Sequence, residues 1–171
     1  MTELLTTGAD LSRSLGTPGF PSEVNISVLF LIRGLPGAGK STLARKLLGV
    51  MGPFEADEYF MQDGFYDFDA RLVRSAHEWC KENVENTMRM NPQPDIVVSN
   101  NFSRKREMED YLGMAKGYHY HVVIIDLFDA GRSDAELANR NTHKVKEDII
   151  KRMRERWEPL TPSRWVNKDE S

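Results

Sequence analysis

The chain has 171 residues, of which 40% are hydrophobic and 29% charged, and it carries a formal net charge of −3, which fits one soluble domain with a proper core and argues against a protein that coats nucleic acid. No apolar run approaches the roughly 18–20 residues of a membrane helix, and Met1-Thr2-Glu3 opens neither a basic region nor a long apolar core, so no membrane span and no secretory signal are expected. A single cysteine, Cys80, excludes an internal disulfide framework and a cysteine-based zinc cage, and the expected setting is reducing and cytoplasmic.

Residues 1–25 mix Thr, Gly, Ser and Pro without periodicity and read as a flexible N-terminal arm. Ile26–Ile32 is nearly continuous apolar and β-rich, as a strand buried on both faces of a parallel sheet must be. It runs into the glycine-rich Gly34–Ser41 and then Thr42–Leu48, which reads as a helix closed by Gly49. Phe54–Asp57 is the expected second strand. From Asp69 to Met90 the apolar residues Leu72, Val73, Ala76, Trp79, Cys80 and Val84 fall largely on one helical face.

Ile96–Ser99 is a compact strand followed by the polar turn Asn100–Ser103, and residues 104–116 are helical in pattern, with Met108, Tyr111, Leu112 and Ala115 facing inward. Val122–Leu127 is another strong strand. Lys146–Trp157 gives the last helix, with Ile149, Ile150 and Met153 on its buried side, and 161–171 forms a C-terminal tail. Strands alternating with helices predict an α/β fold with a mainly parallel β-sheet flanked by helices, one domain over 26–160.

The segment Gly34-Leu35-Pro36-Gly37-Ala38-Gly39-Lys40-Ser41 meets the P-loop (Walker A) pattern in its required context, a strand before and a helix after. Glycines let the backbone wrap closely and aim its N–H groups at phosphate oxygens. Lys40 is expected to reach the β- and γ-phosphates of ATP, Ser41 to offer a hydroxyl to Mg2+, and Thr42 to complete the nucleotide-binding run. The chain shows no Asn-Lys-x-Asp segment for reading guanine, and its size leaves little room for a motor's machinery, so a kinase is favoured over a GTPase or motor ATPase.

Phosphoryl transfer to a hydroxyl needs a base beside the acceptor, where the second strand ends. Asp57 stands there and is the expected general base, with Glu55 and Glu58 as rivals. Between the last strand and the last helix, Leu137–Val145 occupies the place of a lid whose arginine can neutralise charge on the transferring group. Arg140 is the first candidate and Arg132 the second. His77 and Trp79 read as packing or capping groups, and His119 and His121 as an exposed strand edge. The aromatic run Phe60, Phe65, Tyr66 and Phe68 suits either a base-stacking surface or a loop anchored to the core.

Gly34–Thr42, Asp57-Glu58-Tyr59-Phe60, Tyr66-Asp67-Phe68-Asp69, Ala76-His77-Glu78-Trp79, Glu107-Met108, Arg140-Asn141-x-His143 and Ile150-x-Arg152-Met153-x-x-Arg156 occur in this order. The series resembles the polynucleotide-kinase-like P-loop family, which includes phage 5′-hydroxyl polynucleotide kinases, animal NEDD4-binding kinase-like proteins and phage ATP-binding proteins. The likeness covers roughly residues 27–158. It implies an ATP–Mg donor site, a tunnel for a 5′-hydroxyl end and a homo-oligomer, tetrameric in some relatives. It also matches Asp57 to the family's catalytic aspartate and Arg140 to its lid arginine. Two positions depart from the pattern. Phe60 stands where the phage enzymes carry a phosphate-gripping arginine, and Ser99-Asn100-Asn101 stands where many relatives are acidic.

Asn100 is then expected to hydrogen-bond substrate or a magnesium-bound water, and replacement grips are expected from Arg104, Lys105 and Arg106 or from Arg71 and Arg74. The leading expectation is a kinase acting on the 5′-hydroxyl end, or another hydroxyl, of DNA or RNA. Lys and Arg crowd Arg140 to Lys168, which favours that acceptor, while Phe60 favours a nucleoside, nucleotide or sugar. A third reading is an ATP-binding regulatory module without transfer activity.

Overall fold

The computed structural model describes residues 26–160, so the arm and tail expected at 1–25 and 161–171 lie outside it. The apolar run after Ile26 forms β1 (Val28–Arg33), in which Leu29, Leu31 and Ile32 are fully buried. A strand with apolar side chains on both faces needs cover on both sides, and the sheet supplies it. In the order β2–β5–β1–β6 it consists of four parallel strands, with β2 at Val50–Phe54, β5 at Asp95–Ser99 and β6 at His121–Asp126. Two further strands, β3 (Met61–Gln62) and β4 (Phe65–Tyr66), make a small antiparallel hairpin outside it.

Helix α2 (Val73–Met88) and helix α3 (Arg106–Gly117) press Ala76, Cys80, Val84, Met88, Met108, Tyr111 and Ala115 onto one side, against Leu29, Leu31, Ile96 and Val98. The other side is covered by the short α1 (Lys40–Ala44), where Ala44 joins Ile32 and Val97. Burial of this kind is the main favourable term in folding. Among the described residues no helix is long and apolar enough to cross a membrane.

Three elements differ from the sequence pattern. The expected strand at Phe54–Asp57 is the last residue of β2 followed by a single 3-10 turn, Ala56–Phe60, because the register between β2 and β5 shifts between Met51 and Phe54 and the pairing ends there. The helix expected at Thr42–Leu48 is α1, shorter and earlier. Helix α4 (Asp134–Arg140) runs into the start of the stretch read as lid, Leu137–Val145, and it starts with a capping box in which Ser133 and Glu136 satisfy each other's backbone N–H groups.

The last helix, α5 (Glu147–Glu155), packs on α4 through Ile150 and Leu137. Arg154 on α5 holds the approach to α4 in place by pairing with Asp129 and with Asp134 at 2.7 Å. Behind the sheet's C-terminal end Arg33 is fully buried beneath Trp157, 4.0 Å from the ring centroid, and donates to Glu158 O at 3.0 Å. Burial lowers its pKa, opposed by Asp126 at 3.5 Å. This arginine ties the segment after α5 to the strand that leads into the phosphate loop.

Candidate active site

The loop between β1 and α1 turns on Gly37 (φ 80°) and Gly39 (φ 101°), conformations that side chains other than glycine rarely adopt. A Cβ on Gly37 would also meet Leu137 O at 2.4 Å, so α4 lies directly against the loop. Leu35 and Ala38 point inward and share a buried cluster with Leu137 and Ile150. The loop is anchored by Gly34 N–H donating to Asn101 O at 3.2 Å and Leu35 N–H to Phe128 O at 2.8 Å. Leu43 N–H is the donor that reaches back to Gly39 O, at 3.0 Å, so the N–H groups of Lys40, Ser41 and Thr42 precede the first helical hydrogen bond and face outward in the manner of an anion cradle.

Lys40 lies across this loop. Its Nζ donates to Asn101 Oδ1 at 3.0 Å and to Leu35 O at 3.2 Å. Loss of solvation lowers its pKa to about 8, against the opposite pull of Glu55 and Asp57. Ser41 Oγ donates to Glu55 Oε1 at 2.6 Å, and Ser99 Oγ donates to the same oxygen at 2.8 Å. Glu55 is buried, so this rival for the base is turned toward the phosphate loop.

Asp57 sits on the 3-10 turn that follows, and its half-exposed carboxylate faces the cleft. Asn100 fixes that turn: its Oδ1 accepts from Ala56 N–H at 2.9 Å and its Nδ2 approaches Cys80 Sγ at 3.7 Å. Asn100, expected at the substrate, is thus buried and holds the backbone beside the carboxylate. Tyr66 on β4 donates to Asp57 Oδ1 at 3.4 Å, and the lid's His143 places Nε2 3.6 Å from Asp57 Oδ2. The Tyr66 and His143 rings lie 4.5 Å apart. Burial, then the Asp57 charge, raises the Tyr66 pKa, which keeps the phenol a donor. Glu58 lines the same cleft with no side-chain hydrogen bond among the described residues.

The lid owes its shape to Asn141, whose side chain accepts from Val145 N–H at 2.6 Å and donates to Ala138 O at 2.7 Å. That clamp shapes the turn that carries His143, whose Nε2 lies 3.6 Å from Asp57 Oδ2. Arg140 Nε donates to Gly37 O at 3.3 Å, so the arginine rests on the phosphate loop. Arg132 is absent from the cleft wall and donates to Ala130 O at 3.0 Å.

Together these groups line one cleft of about 1190 Å³, bounded by the phosphate loop, the 3-10 turn, α2, α3, α5 and the lid. It brings Lys40, Ser41, Thr42, Asp57, Asn100 and Arg140 together. Of the proposed grips, Arg106 lines it, whereas Arg104 and Arg71 do not; Arg71 is exposed and paired with Asp69 at 2.7 Å. Phe60 is buried in the main core against Tyr66 and Phe68. Asn101 and His143 had no assigned role in the sequence. His143 stands in a quoted motif, but the contact of Asn101 with Lys40 joins the loops after the neighbouring strands β5 and β1, far apart in sequence, and leaves no local signal.

This arrangement can hold a polyanion against backbone donors and a lysine, place a carboxylate at the far end of that anion, and cover both from the lid.

The AAA domain family matches residues 29–160. NEDD4-binding protein 2 of Homo sapiens is 34% identical over 137 residues, 77% of this chain and 8% of the relative. The 2′,3′-cyclic-nucleotide 3′-phosphodiesterase of Mus musculus is 31% identical over 136 residues, 74% of this chain and 30% of the relative. The chain therefore spans less than a third of either. A chain of the Pnkp1/Rnl/Hen1 RNA repair complex superposes with a TM-score of 0.57 at 15% identity, over 77% of this chain and 44% of that one, a likeness of fold.

Proposed function

The chain belongs to the AAA domain family, whose model matches residues 29–160, and from that premise we propose that it is a polynucleotide-kinase-like P-loop enzyme, an ATP- and Mg2+-dependent kinase that phosphorylates a hydroxyl of DNA or RNA, the 5′-hydroxyl end first. The observation that carries the reading is the shared cleft: Lys40 and Ser41 at one end, Asp57 beyond them, and a lid that reaches the phosphate loop through Arg140 and lies 3.6 Å from Asp57 at His143. The N–H groups of the loop and Lys40 hold the β- and γ-phosphates. Asp57 accepts the proton of the acceptor hydroxyl, oriented for that by Tyr66 and His143. Arg140 stands close enough to the loop to offset charge that develops on the transferred group.

The donor set suits Mg2+, because Ser41 Oγ and Glu55 Oε1, hard oxygens 2.6 Å apart, lie where the phosphates enter. With the nucleotide bound, the ion would be held through Ser41 and would neutralise phosphate charge. A nucleotide or nucleic-acid acceptor is supported by the relative named for a 2′,3′-cyclic-nucleotide substrate.

A second reading, a small-molecule kinase, is favoured by one observation: Phe60 is locked in the core, and no arginine replaces it on that turn. Transfer of labelled γ-phosphate to 5′-hydroxyl DNA and RNA oligonucleotides, hydroxymethyluracil DNA, nucleosides and mononucleotides decides between them. Label on an oligonucleotide is the expected result. Label confined to a nucleoside or mononucleotide transfers the assignment to the second reading. No label with ATP still bound leaves a regulatory ATP-binding module.

A further inference from the structure

We infer that Glu55 is the carboxylate that couples magnesium to nucleotide binding in this chain, supplied from the end of β2 because the neighbouring strand end carries none. The inference rests on the ATP–Mg2+ reading above and extends it to a residue that the sequence placed only among candidate bases.

Strands β2 and β5 are parallel neighbours, and Phe54 is paired with Val98. One residue further on, Glu55 and Ser99 therefore stand side by side at the sheet's C-terminal edge. Ser99, Asn100 and Asn101 are all neutral. The carboxylate beside the phosphate loop comes instead from the adjacent strand, and Ser99 Oγ donates to it at 2.8 Å.

Glu55 is buried, and an unpaired buried carboxylate next to a polyanion site is unfavourable twice over, by desolvation and by repulsion. The protein offsets this only in part. Arg45 Nη2 lies 4.0 Å from Oε2 and is exposed, and no hydrogen bond among the described residues engages Oε2. A divalent cation between the carboxylate and the phosphates removes the conflict. The hydroxyl between them is already set for one: Ser41 Oγ spends its proton on Glu55 Oε1 at 2.6 Å, which leaves its lone pairs for a cation.

The readout is the affinity for ADP by calorimetry, in EDTA and in saturating MgCl2, expressed as the ratio of the two dissociation constants. Wild type should bind ADP more tightly with magnesium. In Glu55→Gln this ratio should shrink by about tenfold, the loss of roughly one charged contact, while metal-free ADP binds as tightly as to wild type or more so, because a repulsive charge has gone. The double variant Glu55→Ser/Ser99→Asp, which moves the carboxylate across to β5, should restore the ratio, and it decides alone if Glu55→Gln does not fold.

A ratio unchanged in Glu55→Gln, or a double variant that folds and fails to restore it, overturns the inference and leaves the kinase reading standing. A wild type whose ADP affinity ignores magnesium overturns both.

Discussion

The two ends of the cleft are built differently. At the phosphate loop the functional side chains are held by short hydrogen bonds: Ser41 to Glu55 at 2.6 Å, Ser99 to Glu55 at 2.8 Å, Lys40 to Asn101 at 3.0 Å. Around Asp57 the contacts are longer, 3.4 Å to Tyr66 and 3.6 Å to His143, and the rim beyond them exposes Met61, Phe65 and Phe68. A triphosphate presents the same oxygens in every cycle and can be met by a rigid cradle. The acceptor end is left looser and more apolar, and it is carried by a hairpin and a lid instead of the sheet. On the kinase reading, phosphate binding belongs to the rigid end of the cleft and acceptor choice to the part of the molecule that packing constrains least.

The sharpest way to break that contrast is to remove the donor lysine. Lys40→Ala should reduce ATP affinity and transfer together, each by on the order of 10²–10³-fold, because on the kinase reading the residue holds the phosphates both before and during transfer. Isothermal binding and a transfer assay check this. A loss confined to transfer would mean that the loop binds nucleotide through its backbone alone.

A smaller effect sharpens the same contrast. The Lys40 pKa is lowered to about 8 from 10.5 by burial. Below about pH 8 the ammonium is charged in the free protein and attracts phosphate. Above it the proton is lost, and ATP affinity should fall by up to about tenfold per pH unit. Folding stability should follow the opposite sign. The unfolded lysine keeps its proton up to 10.5, so the unfolded state binds more protons between 8 and 10.5 and stability from this group rises with pH across that window. ATP titrations and thermal melts between pH 7 and 10.5 test both trends, and Lys40→Ala should flatten them.

Much of the donor end was legible in the sequence because its signals are local. A buried strand, a glycine-rich loop and a lysine–serine pair lie within Val28–Ser41, and each needs the next. The strands β5 and β6 and the helices α2, α3 and α5 were legible for the same reason, through long periodic stretches. Helix α4 was missed because it has only seven residues, although Ser133-Asp134-Ala135-Glu136 is a capping box that marks its start. The hairpin β3–β4 turns on Asp63-Gly64, a pair that marks short hairpins, but its strands are two residues each and carry no period.

What no local pattern could settle is which of several adjacent groups faces inward. Arg106 and not Arg104 reaches the cleft, and Glu55 turns to Ser41 while Asp57 turns to the lid. Those choices depend on the last turn before α3 and on where β2 stops pairing with β5. Asn100 shows the same limit: it lines the cleft, and no local pattern foretold that its side chain also fixes the turn that carries Asp57.

The most direct test of the account is single-turnover transfer of labelled γ-phosphate in Asp57→Asn, with ATP affinity measured on the same preparation. The account predicts ATP affinity near that of wild type and a transfer rate lower by on the order of 10²–10⁴-fold, because Asp57 serves the acceptor and not the cradle. Transfer at the wild-type rate to the same acceptor would contradict it, and would move the base to another carboxylate of the cleft.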